Sequence, residues 1–132
     1  MTSSIVYRGL GSVVTLDLDA QTVTLTHEPP SEHTGSWTVP LDEIIDVHYR
    51  ERTVEHEGWG QLRTITSPTD LPAPAVDPYA FRNGGEQLAT FCLLVMYVAN
   101  HSRMTVEGRA TREVINEEMT SIRSLIDRLR GK

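Results

Sequence analysis

The chain has 132 residues, 39% hydrophobic and 23% charged, a balance that predicts one globular domain spanning residues 1–132. Its net charge of −6 argues against nucleic acid and acidic lipid as partners. A single cysteine excludes an internal disulfide, and the N-terminus resembles no signal peptide, so we expect a cytoplasmic location. The longest uncharged apolar run, Gln87–Asn100, is too short for a membrane-spanning helix.

The first half of the chain alternates apolar and polar residues, which is typical of half-buried strands. Ser12–Asp19 shows this two-residue period, and Thr22–His27 repeats it. The short polar link Asp19–Gln21 between them predicts a hairpin. Three further strands are predicted at Ser36–Leu41, Ile44–Arg52 and Gln61–Thr66.

The strand at Ile44–Arg52 has its own face assignment. Strict alternation places Ile45, Val47 and Tyr49 on one face, which we expect to be the buried one. Pro40 lacks an N–H, so the strand before it should lie at an edge or end there.

The proline-rich segment 67–87 follows these strands. The parts on either side of it cannot each bury a core, so the segment is predicted to be a long loop inside one domain. Within it, Asp77–Gly84 has an N-cap aspartate, then a proline, then a closing Asn-Gly pair. This order predicts a single helical turn.

The run Thr90–Ala99, TFCLLVMYVA, is apolar on both faces. Such a run is either a central strand or a core helix, and the flanking glycines and the β-branched and aromatic content favour a strand. Arg103–Val106 could add a seventh, short strand.

The C-terminal segment, at about 111–130, has the period of an amphipathic helix. Its apolar residues recur at steps of four and three: Ile115, Met119, Ile122, Ile126 and Leu129. We expect this helix to cover the open side of the sheet. The same stripe would also suit a coiled-coil seam, which leaves helix-mediated oligomerisation as an alternative.

Two stretches carry a family resemblance. In Ser36–Glu51, a strand ending in Pro-Leu, an acidic turn and then Ile-Ile-x-Val resemble the third-to-fourth strand passage of bacterial pleckstrin-homology-like (PH-like) domains. Gly58–Ile65 is similar to the entry into their next strand, and the terminal helix is similar to the one that closes their barrel. Over Gly9–Thr66, the last predicted strand and the helix, the chain resembles a family of actinobacterial PH-like domains.

The resemblance implies an α+β, mainly β fold. This would be a partly open antiparallel barrel of six or seven strands, capped by the C-terminal helix. The resemblance supplies no catalytic, cofactor-binding or metal-binding residue, and we assign none.

Reactive side chains are few and weakly arranged. Cys92 lies between apolar neighbours, which predicts a buried structural thiol. Three histidines, His27, His33 and His56, could meet around zinc, but their spacing favours solvated loop positions. The acidic cluster of Asp42, Glu43 and Asp46 fits a polar turn better than an acid–base pair.

Four residues form the candidate partner-binding patch: Trp59, Tyr79, Phe81 and Arg82. They fall on predicted loops, and Trp, Tyr and Arg are the residues most enriched at binding hot spots. The alternative is that the three rings fold back over the open side of the sheet. We expect a non-catalytic module that binds a protein or a second copy of itself, with a small-ligand or metal-binding domain as the alternative.

Overall fold

The computed structural model describes residues 4–29, 34–82, 87–107 and 112–129. These residues form seven strands and two α-helices, with short 3-10 turns at Leu41–Glu43 and Pro74–Val76. The strands are β1 (Ser4–Gly9), β2 (Ser12–Asp17), β3 (Thr22–His27), β4 (Gly35–Pro40), β5 (Ile44–Arg50), β6 (Trp59–Thr64) and β7 (Ala80–Arg82), and the helices are α1 (Leu88–Glu107) and α2 (Arg112–Leu129). The fold is therefore α+β and mainly β, as predicted.

The first sheet is antiparallel in the order β1-β2-β3-β4 and contains the predicted hairpin between β2 and β3. The side chain of Asp17 shapes its turn, because Oδ1 accepts hydrogen bonds from the backbone N–H groups of Asp19 and Ala20 at 3.0 Å each. Alternate residues of both strands are fully buried, so this sheet has one core face and one solvent face.

The second sheet is antiparallel in the order β5-β6-β7, and it corrects the predicted face of β5. A bulge between Ile44 and Asp46 breaks the alternation, and Asp46 Oδ1 accepts a hydrogen bond of 2.8 Å from the Val47 N–H there. Ile44 and Val47 are consequently buried and Ile45 is exposed, while Tyr49 is exposed towards the end of the strand. Of the three residues predicted to share the buried face, Val47 is buried, and the prediction is wrong for Ile45 and Tyr49.

The strand predicted at Phe91–Val98 is wrong, because these residues belong to α1. The helix packs across β5 and against the turn at Leu41–Glu43. Its buried residues follow a helical period: Leu88, Phe91, Cys92, Val95, Val98 and Ala99, with Leu94 beside them. The possible short strand at Arg103–Val106 also lies in this helix.

The covering of the sheets also differs from the prediction. α2 lies within the predicted range 111–130, but it packs mainly on α1 rather than on a strand. Ile122 and Leu125 are buried, and Ile126 and Leu129 pack against the core. The residues of the apolar stripe whose side chains are described therefore pack inside the fold. The side chains of Ile115 and Met119 are not among the described ones.

The two sheets meet at one corner without closing into a barrel. Gly9, at the end of β1, lies so close to β7 that a Cβ on it would overlap the carbonyl oxygen of Arg82. On the other side, His27 Nε2 lies 2.7 Å from the carbonyl oxygen of Pro78. Neither described helix combines the length and apolar character required to cross a bilayer.

The proline-rich segment is held along β6 by polar side chains. Buried Gln61 donates through Nε2 to the Pro72 carbonyl and to Asp77 Oδ2, both at 2.8 Å. Arg63 donates to the carbonyl oxygens of Pro68 and Thr69 at 3.1 and 3.0 Å. Such bonds satisfy backbone groups that have no partner strand.

The helical turn predicted at Asp77–Gly84 is wrong. A 3-10 turn at Pro74–Val76 precedes Asp77, and the chain continues as β7. Asp77 Oδ1 accepts a hydrogen bond of 2.9 Å from the Tyr79 N–H, a side-chain turn that leads into this strand instead of capping a helix. The last residues of the predicted turn, Asn83 and Gly84, lie outside the described residues.

Candidate functional site

Phe81 of the predicted patch is a core residue. Its ring is only 3% exposed and lies 5.7 Å from the Tyr7 ring and 6.3 Å from the Phe91 ring, centroid to centroid. The three rings join β1, β7 and α1. The alternative weighed from the sequence, that this ring folds back over the sheet, describes its position.

Tyr79 supports the same region from the start of β7. It is half-buried and packs against the core, and its carbonyl oxygen accepts a hydrogen bond of 3.0 Å from the Leu62 N–H. This bond extends the pairing of β6 with β7 by one residue. Tyr79 therefore positions the strand and leaves only part of its ring at the surface.

Trp59 and Arg82 lie opposite each other on β6 and β7, on strands rather than on the predicted loops. The Arg82 guanidinium donates from Nε to Glu57 Oε1 and from Nη2 to Glu57 Oε2, each at 3.0 Å. This two-pronged geometry is the strongest form of Arg–carboxylate contact. It fixes the residues before Trp59 beside β7.

A cleft of about 570 Å³ adjoins this pair. One wall is the end of β1 and the turn after it, with Arg8, Gly9 and Leu10, and the other is the connection between β5 and β6, residues 52–57. Both walls are held in place, the first by the approach of Gly9 to β7 and the second by the bond from Glu57 to Arg82. Arg82 lies next to this cleft, because it contacts Glu57 and Gly9, whereas the described residues that line the cleft do not include Trp59, Tyr79 or Phe81.

The tip of the β5–β6 connection is a closed turn. The Thr53 N–H donates to the His56 carbonyl, and the His56 N–H donates to Thr53 Oγ1, both at 2.9 Å. These bonds leave Val54 fully exposed at the tip. Leu10, across the cleft, is 45% exposed. Two exposed aliphatic side chains therefore face solvent at the mouth of a cleft whose walls are fixed.

Both basic and acidic side chains line the cleft, and not all of them form ion pairs with described residues of the chain. Glu57 is paired with Arg82. Arg8 and Arg52 make no ion pair with any described residue, and Glu55 is exposed at the tip. The cleft thus offers two available guanidinium groups and one available carboxylate, which favours a ligand with negative charge beside an apolar group.

The histidines do not assemble into one site among the described residues. His27 is buried, with Ser12 Oγ 2.7 Å from Nδ1 and the Pro78 carbonyl 2.7 Å from Nε2, so both ring nitrogens already serve the fold. His56 lies at the exposed tip of the cleft, and His33 falls outside the described residues. His48 Nε2 lies 3.7 Å from Asp46 Oδ2, too far for a hydrogen bond.

The acidic residues that the structure describes show no functional grouping either. Asp42 and Glu43 form the 3-10 turn after β4, and Asp46 holds the β5 bulge. Within the described ranges, no three His, Cys, Asp or Glu side chains are close enough together to hold a metal ion.

Cys92 is fully buried in α1, and desolvation raises the pKa of its thiol from 9.0 to about 12. We expect iodoacetamide at pH 8 to leave the native thiol unmodified and to alkylate it after unfolding, because only the thiolate reacts. Mass spectrometry after timed quenching measures this. Rapid alkylation of the native chain would contradict the burial.

The same thiol predicts a pH dependence. Between the unfolded and folded pKa values, 9.0 and about 12, the unfolded state loses the proton that the folded state keeps. The contribution of the thiol to stability is therefore fully present below pH 9. Above pH 9 it lowers the free energy of unfolding by about 1.4 kcal/mol for each pH unit. Urea unfolding of the wild type against Cys92→Ala isolates this slope, which the variant should lack.

The cleft was not predicted from the sequence. Its apolar contributors, Leu10 and Val54, lie in a glycine turn and in a charged run. The only available signal was an isolated valine between Arg52 and Glu55, where burial is not expected. Comparisons with protein-family models, with curated proteins and with solved structures found no match for this chain.

Proposed function

We propose that the protein is a non-catalytic, PH-like interaction module that binds a segment of another protein in the cleft between residues 8–10 and 52–57. The observation that carries this proposal is the pair of exposed aliphatic side chains, Val54 and Leu10, at the mouth of a fixed cleft. A fully exposed valine at a turn tip contributes nothing to the core. With Leu10 across the cleft, it provides apolar surface that a partner could contact at the cleft mouth.

The available charges select the chemistry of the partner. Arg8 and Arg52 have no ion-pair partner among the described residues, and guanidinium groups recognise carboxylates with geometric specificity. The partner segment therefore carries an aliphatic or aromatic anchor flanked by Asp or Glu. An anionic membrane is a poorer occupant, because the whole chain carries a charge of −6.

The PH-like part of the proposal has its own support. A four-stranded and a three-stranded antiparallel sheet follow one another along the chain, and a helix lies across the second sheet. This order accords with the strands-then-helix arrangement that the sequence resemblance implies. The covering helix is α1, however, and α2 extends the chain beyond it.

Selection of random peptides displayed on phage against the full chain tests the binding proposal. We expect the selected peptides to share an apolar anchor with acidic neighbours. Val54→Asp should weaken their binding about tenfold or more, a loss of about 1.4 kcal/mol, because it replaces an apolar contact with a charge that repels the acidic peptide. Fluorescence anisotropy with one labelled peptide measures the affinity.

Val76→Asp is the matched control, because Val76 is also an exposed valine but lies outside the cleft. It should leave peptide affinity unchanged, and both variants should keep the wild-type melting temperature. Peptides that bind Val54→Asp as tightly as the wild type would remove the cleft from the proposal. Failure to select any peptide would remove the peptide-binding function itself.

A further inference from the structure

The open edge of the first sheet is a second surface with binding capacity. β4, Gly35–Pro40, is the last strand of that sheet, and among the described strands it pairs only with β3. No other described element makes comparable contact with it. An edge strand of this kind presents a row of backbone donors and acceptors to its surroundings.

The direction of the β3 hydrogen bonds shows which β4 groups face outward. The Glu28 N–H donates to the Gly11 carbonyl at 2.9 Å, so even-numbered residues of β3 bond to β2. The Leu41 N–H donates to the Gln21 carbonyl at 2.8 Å, so odd-numbered residues of β3 bond to β4. Both observations give the same alternation.

Ser36, Thr38 and Pro40 of β4 therefore point their backbone groups away from β3. Their partners in the register, Thr26, Thr24 and Thr22, are the non-hydrogen-bonded positions. Side-chain contacts agree, because Thr24 Oγ1 and Thr38 Oγ1 lie 3.0 Å apart and close approach is typical of such positions.

The outward pattern is complementary to itself. Ser36 and Thr38 each offer one N–H and one C=O, and Pro40, which has no N–H, offers only its C=O. A two-fold axis at Trp37 would pair Ser36 with Thr38 of a second copy and Thr38 with Ser36 of that copy. This antiparallel register makes four backbone hydrogen bonds and brings the two Trp37 side chains together.

The charges of the strands single out this edge. β4 carries no charged side chain, whereas the other edge strands include Arg8 in β1, Asp46 and Arg50 in β5, and Arg82 in β7. Each copy of the chain has a charge of −6, so two copies repel overall, and an edge without charges adds no local repulsion to this. Natural edges are commonly protected by charges, bulges or proline; β4 has no charge and no bulge, and its proline, Pro40, is the last residue of the strand.

We propose that two copies of this chain associate through antiparallel pairing of their β4 edges, which joins their first sheets into one eight-stranded sheet. The pairing extends the hydroxyl contacts of the outer face, because Thr38 of one copy would lie beside Ser36 of the next. The surface is separate from the cleft, so either proposal can fail without the other.

Sedimentation equilibrium of the full chain from about 1 μM to 1 mM tests the proposal. An interface built on one pair of strands is small, and such interfaces dissociate in this concentration range. We expect the mass to double with concentration. Thr38→Pro should remain monomeric, since it removes an outward N–H while leaving the bonds to β3 in place. Thr38→Val, which keeps the N–H, should still dimerise.

Hydrogen exchange of the wild type supplies a readout that needs no variant. The amides of Ser36 and Thr38 should exchange more slowly as concentration rises, while the amide of exposed Val6 in β1 should not change. Added salt should increase the dimer fraction by screening the net charge. A monomer at every concentration, or a dimer that persists in folded Thr38→Pro, would overturn the proposal.

Discussion

Phe81→Ala is expected to lower the free energy of unfolding by about 3–5 kcal/mol, the range for removal of a buried phenylalanine ring. The ring is 3% exposed and contacts Tyr7 and Phe91. It also covers Gly60 so closely that a Cβ there would lie 2.8 Å from Phe81 Cε2. No neighbour can fill this space without moving a strand, so most of the cavity would remain.

Urea unfolding followed by circular dichroism measures the loss as a shift of the midpoint. Tyr49→Ala is the control, because that aromatic ring is 37% exposed towards the end of β5 and its removal should cost much less. A loss below about 1 kcal/mol for Phe81→Ala would contradict the core position and return the ring to the partner-binding patch. The peptide affinity of folded Phe81→Ala would then show whether the ring contacts a partner or only supports the core.

The different outcomes for Phe81 and the first hairpin show what sequence pattern can predict. β2 and β3 have one buried and one solvated face, so their period of two is visible directly in the order of residues. Phe81 lies in a strand of three residues after a proline-rich segment, and so short a strand has no period to read. Its burial depends on Tyr7 and Phe91, which are distant in sequence.

α1 was misassigned for a related physical reason. Its central residues are apolar on nearly every side because the helix lies between β5 and α2. A segment buried on all sides loses the polar face that distinguishes a period of 3.6 from a period of two. The prediction therefore followed local residue preferences, which favour a strand. In the structure, packing against β5 and α2 stabilises a helix instead.

The candidate site shows the same limit. Trp59 and Arg82 were chosen by residue type, and of the two only Arg82 has described contacts with residues that line the cleft, Glu57 and Gly9. Val54 and Leu10 were not, because their exposure follows from the turn at Thr53–His56 and from the contact between β1 and β7. Such long-range contacts are set by the fold as a whole and leave no local pattern.

Gly9→Ala is expected to cost about 3 kcal/mol, at the upper end of the range for overpacking. The added Cβ would overlap the Arg82 carbonyl oxygen, a backbone atom that cannot rotate away. Arg82 is held by its pairing with Trp59 and by its bond to Glu57. Either the corner between the sheets opens or β7 shifts, and both lose buried contacts.

The midpoint of urea unfolding measures this cost, with Arg8→Ala as the control. Arg8 is the exposed neighbour of Gly9 and should change stability by no more than about 0.5 kcal/mol. An unchanged midpoint for Gly9→Ala would show that the sheets do not meet at this corner. Because one cleft wall depends on the same contact, the variant should also bind the selected peptides more weakly than its folded fraction accounts for.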